Sequence, residues 1–117
     1  MENEQLELWK NLNKDNTIIQ VQEYIRKVIE LRGFSGQEIE KTMLLLTEEV
    51  GELAKAIRKD KTSMSIDKSK IYNYDTIESE VADVFIVLCS ICNKLNIDLF
   101  SSLKEKVKEN ITRKWNK

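Results

Sequence analysis

Glu49 and Glu52, followed by Glu80 and Asp83, are the residues of this 117-residue chain whose types and spacing point to chemistry. Each pair is three residues apart, so in a helix both side chains project from one side. Glu48 adds a carboxylate near Glu52, at i and i+4. The second pair is embedded in apolar sequence, Val81-Ala82-Asp83-Val84-Phe85-Ile86-Val87. A buried carboxylate is costly unless it is protonated, paired with a cation or bound to a metal. Salt bridging is the simplest solution for any one of them, with Lys55, Arg58, Arg26 and Lys27 as partners. Two such pairs on adjacent helices repel each other, which favours a shared cation. Four or five oxygens, with no His and no nearby Cys pair, suit a hard ion, Mg2+ or Mn2+.

Composition narrows the chemistry further. The absence of His removes Ser-His-Asp and Cys-His catalysis, His-ligated zinc and Glu-x-x-His di-iron sites. Lys plus Arg is 19 against 20 for Asp plus Glu, a net charge of −1, which argues against a nucleic-acid partner. No apolar run reaches the roughly 20 residues of a membrane span, so no membrane partner is expected. Two Cys and no signal-peptide pattern lead to the expectation of a reducing, cytoplasmic setting. The charge is uneven along the chain: residues 75–98 carry a net −4 and residues 99–117 a net +4. Adjacent helices balancing one another are the favoured explanation of this pattern, and the sharper one is an acidic site facing basic groups, as a metal–polyphosphate complex would need.

The elements that must position these residues are helices. Pro is absent and Gly numbers 3, too few for a turn-rich β fold. Thr17 with Gln20 is a capping-box pattern opening a helix to about Arg32, where Gly33 offers a left-handed stop. Ser35 with Glu38 predicts a second helix to about Lys59. Asp75 with Glu78 predicts a third, to about Lys94. Asp98 caps a fourth, from Leu99 to about Trp115. Leu6–Leu12 forms a short extra helix or turn, and residues 60–75 are the one long linker. The expectation is an all-α, four-helix-bundle-like chain forming a single domain over residues 1–117.

On the second helix Leu46, Val50, Leu53 and Ile57 make the expected core stripe. Leu45, Glu49, Glu52 and Ala56 follow the same spacing about 100° away, at its edge. The third helix is apolar nearly all round, which places it at a bundle centre or under a subunit interface. The fourth has a narrow stripe of Leu99, Leu103, Val107 and Ile111. Cys89 and Cys92 lie deep in the third helix, far from the helix N-terminus a redox Cys-x-x-Cys needs, and are expected to be core. Trp9, Tyr24, Phe34, Phe85, Phe100 and Trp115, with the loop residues Tyr72 and Tyr74, are core, interface or base-stacking groups.

Glu48-Glu49-Val50-Gly51-Glu52-Leu53-Ala54-Lys55-Ala56-Ile57, followed by Glu80-Val81-Ala82-Asp83-Val84, resembles the motif of MazG-type nucleoside triphosphate pyrophosphohydrolases. That motif is Glu-Glu-x-x-Glu, a spacer, then Glu-x-x-Asp; the spacer here, residues 53–79, is 27 long. Lys106-x-x-x-Asn110-x-x-Arg113 is similar to a Lys/Asn/Arg pattern of the same family. The Tyr that follows the Asp by four residues in the dCTP pyrophosphatase branch is replaced by Val87. The resemblance implies an all-α fold assembled as a homodimer or homotetramer. It also implies Mg2+-dependent conversion of a nucleoside triphosphate substrate to the monophosphate and pyrophosphate. Glu49, Glu52, Glu80 and Asp83 would be the metal ligands, and Glu48 a water-orienting catalytic carboxylate. Lys106, Asn110 and Arg113 would bind phosphate or sugar. The alternatives are a phosphoribosyl-ATP pyrophosphohydrolase and a non-catalytic helical module; the intact set of four carboxylates speaks against the latter.

Overall fold

The computed structural model describes residues 2–62 and 76–114. They form five helices and, among the described residues, no strand: α1 (Glu2–Asn11), α2 (Ile18–Leu31), α3 (Ile39–Lys61), α4 (Ile77–Lys94) and α5 (Leu99–Thr112). The all-α expectation holds. Trp115, Tyr72, Tyr74, Asp75 and most of the 60–75 linker lie outside the described residues. The chain divides into two compact units, one of residues 1–36 with 92–117 and one of residues 37–91.

In the first unit α1 packs on α2, and α2 on α5. The extra helix at the N-terminus is a full ten residues, with Glu2 and Glu4 in its first turn and Lys10 in its last, opposing the helix dipole. α2 begins as its sequence predicts. The Thr17 hydroxyl accepts from the Gln20 amide at 3.2 Å, and the Thr17 amide donates to Gln20 Oε1 at 2.7 Å. Its inward face runs through Ile18, Val21, Gln22, Ile25 and Ile29. It ends at Gly33, whose φ of 82° is the left-handed conformation expected of it. The Gly33 and Phe34 amides bond back to the Glu30 and Ile29 carbonyls, closing a Schellman motif.

The turn into α5 repeats this motif without glycine. Asn96 takes φ 56°, and the amides of Asn96 and Ile97 bond back to the Asn93 and Cys92 carbonyls. Asp98 then caps α5, accepting from the Ser101 amide at 3.2 Å. α5 stops at Thr112, three residues short of the expected Trp115.

In the second unit two expected starts move. α3 begins at Ile39, with Glu38 as a cap residue that makes no side-chain bond. Ser35 does not cap it, because residues 35–36 form a turn; Thr42 instead bonds back to Gln37 and the Glu38 carbonyl. α4 is capped by Thr76, whose hydroxyl accepts from the Ser79 amide at 3.1 Å. α3 is turned from the expected heading, so that only Leu46 and Leu53 of the predicted core stripe are partly covered. Val50 and Ile57 of the predicted core stripe are exposed, while Thr42 and Ala56 are buried with Leu45 and Glu49 partly covered.

Candidate metal centre

The rotation of α3 brings Glu49 onto its inward stripe, with Thr42, Leu45 and Ala56. At 100° per residue, Leu53 lies about 40° from the direction of Glu49 and Glu52 about 60° away on the other side. Leu53 therefore takes the partly covered place and Glu52 stays exposed. On α4 the covered stripe is Glu80, Val84, Val87 and Ile91, so Glu80 lies on the stripe itself and is only 5% exposed. Asp83 is half-buried beside it.

Glu49, Glu80 and Asp83 converge. One carboxylate oxygen from each lies within 4.8 Å of the others. Burial pushes the Glu49 carboxyl above its ordinary value, and the negative charges of Asp83, Glu80, Glu52 and Glu48 push it further. Two of the cations expected as partners pair with other carboxylates. Lys55 pairs with Glu52 at 3.6 Å, and Arg26 bonds Glu23 and also Glu30 at 3.5 Å. Among the described residues Glu49 and Asp83 have no salt-bridge partner. An all-oxygen set that is partly buried and self-repelling fits a divalent cation.

Glu52 and Glu48 are outside the converging set. Glu52 is tied to Lys55, and Glu48 is exposed. Lys106 and Asn110 are on α5 and Arg113 follows its last turn, all three exposed and at i, i+4, i+7, the spacing of one helix face. Lys106 reaches Glu109 at 3.5 Å.

Cys89 and Cys92 are free and buried, as expected of core cysteines. Burial pushes the Cys92 thiol up, away from reactivity. Trp9, Phe34 and Phe100 are at least half exposed, and Arg32 lies over the Phe34 ring at 5.6 Å.

Sequence reasoning passed over Gln22, which is 2% exposed. Its signal was a lone polar residue on the apolar face of α2, between Ile18 and Ile25. Its side chain accepts from the Leu99 amide at 2.8 Å and donates to the Ile97 carbonyl at 2.9 Å and to Asn93 Oδ1 at 3.2 Å.

No curated protein and no solved structure matches the chain. The family model of the MazG nucleotide pyrophosphohydrolase domain matches residues 37–116, which hold the three converging carboxylates and all of α5. Family membership points to nucleotide pyrophosphohydrolase activity, usually metal-dependent, on a nucleotide substrate. With that match over most of its length and the motif's carboxylates assembled on α3 and α4, the chain belongs to the MazG nucleotide pyrophosphohydrolase domain family.

Proposed function

We propose that this chain hydrolyses a ribo- or deoxyribonucleoside triphosphate to the monophosphate and pyrophosphate, in house-cleaning or control of a cytoplasmic nucleotide pool. The observation that carries the reading is the Glu49–Glu80–Asp83 group within the family-matched segment. These three residues would hold Mg2+, with Mn2+ as a substitute, and Glu52 on the adjoining turn of α3 is the proposed fourth ligand. When bound, such an ion neutralises phosphate charge and acidifies water. The chain's own contributions follow from its side chains. Glu49, Glu80 and Asp83 supply fixed negative charge in a partly covered setting. Glu48, solvent-exposed, accepts a proton-bearing contact from water at its carboxylate and orients it. Lys106 and Arg113 offer cationic donors to phosphate oxygens, and Asn110 an amide to phosphate or sugar.

A homodimer or homotetramer is part of the proposal. Val50 on α3, Val81 on α4 and Leu103, Val107 and Ile111 on α5 are exposed apolar side chains that a second copy would cover.

The test is pyrophosphate release with Mg2+ from a panel of standard and damaged nucleoside triphosphates plus phosphoribosyl-ATP. Glu80→Gln and Asp83→Asn are expected to abolish release while the helical circular dichroism persists. Wild-type rates in both variants would refute the metal assignment. Release from phosphoribosyl-ATP alone would reassign the substrate, and no release from any substrate by folded, metal-supplied protein would favour a non-catalytic module.

A further inference from the structure

We propose that Gln22 is a positioning residue for the substrate: it sets the start and heading of α5, the helix that carries Lys106, Asn110 and Arg113. This rests on the reading that those three residues bind nucleotide. Gln22 lies on α2, ahead of the family-matched residues 37–116, so the domain motif does not include it. It is almost wholly buried and uses its complete side-chain amide. Oε1 accepts from the Leu99 amide, the first of α5, at 2.8 Å. Nε2 donates to the Ile97 carbonyl at 2.9 Å and to Asn93 Oδ1 at 3.2 Å, and Asn93 Nδ2 donates back to the Gln22 carbonyl at 2.9 Å. One side chain thus ties the last residues of α4 to the first of α5 and holds both on α2.

The need for such a clamp is local. The turn it grips contains Asn96 at positive φ, and every residue of α5 after Leu99 is exposed. At 1.5 Å per residue, Lys106 is about 10 Å and Arg113 about 21 Å from Leu99. A swing of about 5° at the turn moves them by about 1 and 2 Å, enough to carry a donor beyond hydrogen-bond reach of a bound phosphate oxygen and so weaken substrate binding.

The experiment is pyrophosphate release by the full chain, with the nucleoside triphosphate from the panel that turns over fastest. The variants are Gln22→Met, Asn93→Ala, Lys106→Ala with Arg113→Ala, and the combination of Gln22→Met with that pair. Asn93→Ala leaves Gln22 bonded to Leu99 and Ile97, and serves if Gln22→Met does not fold. Gln22→Met is expected to raise KM at least tenfold, Asn93→Ala less, with kcat within threefold and Mn2+ affinity unchanged. Added to the Lys106→Ala, Arg113→Ala background, Gln22→Met should change KM less than twofold, because the groups it positions are gone. A fall in kcat at unchanged KM, or full additivity, makes Gln22 a structural residue only and overturns the inference. If Lys106→Ala with Arg113→Ala leaves KM unchanged, or no nucleotide turns over, the underlying substrate reading fails and takes the inference with it.

Discussion

Asp83→Asn should stabilise the metal-free protein and abolish its stabilisation by Mg2+. Asp83 shares a space in which oxygens from three carboxylates lie within 4.8 Å of one another. At that separation two unit charges repel by about 1 kcal/mol in water and about 3.5 kcal/mol at an effective dielectric constant of 20. Asp83 is only partly buried and so still screened by solvent, which makes the lower figure govern, and it faces two neighbours. Neutralising it should therefore contribute about 2 kcal/mol, or about 8 °C in Tm for a chain of this size. The wild type should recover the difference and more with Mg2+, since a ligand at a hundred times its Kd stabilises by about 2.7 kcal/mol. The assay is thermal unfolding at pH 8 followed by circular dichroism, in EDTA and across a Mg2+ titration. The curves should cross: the variant melts above the wild type in EDTA and below it at saturating Mg2+. A variant that melts at or below the wild type in EDTA, with Mg2+ moving neither, would show that the carboxylates hold the fold rather than an ion.

The same repulsion has a sign with pH. Glu49 has a raised folded value, so its neutral form is favoured in the fold. The metal-free wild type should gain stability as pH falls through that raised value, down to the ordinary 4.5. Urea midpoints in EDTA at pH 8, 6 and 4.5 would show it, and Glu49→Gln should flatten the profile. Gly33→Ala should cost about 1–2 kcal/mol, because the added Cβ meets open space but must adopt φ 82°; urea unfolding measures it. Thr17→Ala should cost about 1 kcal/mol by removing the α2 cap. Cys89 and Cys92 should resist a thiol reagent in native protein and react in urea, and fast native labelling would contradict their burial.

Local signals were the legible part of this fold. Thr17, Gly33 and Asp98 each act on backbone groups within a few residues, so a short stretch of sequence determines the outcome. Ser35 shows where that logic stops: its cap pattern is sound, but the turn at residues 35–36 claims it first. At the candidate metal centre, the grouping of Glu49, Glu80 and Asp83 was readable because the i, i+3 spacing and the apolar surroundings are written in one dimension. The separation of Glu52 from them was not. It turns on whether Leu53 or Glu52 takes the inward place, which depends on how far α3 is rotated. Gln22 was least legible, since its partners lie 71 to 77 residues away and no local pattern announces them.

The clamp also leaves a mark on the backbone itself. Amides in the first turn of a helix ordinarily lack carbonyl partners and exchange freely with solvent. The Leu99 amide is instead held at 2.8 Å by a side chain that solvent barely reaches. Its deuterium uptake therefore tracks separation of α2 from the α4–α5 turn rather than fraying of α5. A single resonance at the head of α5 becomes a clock for the parting of the two chain segments, 1–36 and 92–117, that make up the first unit.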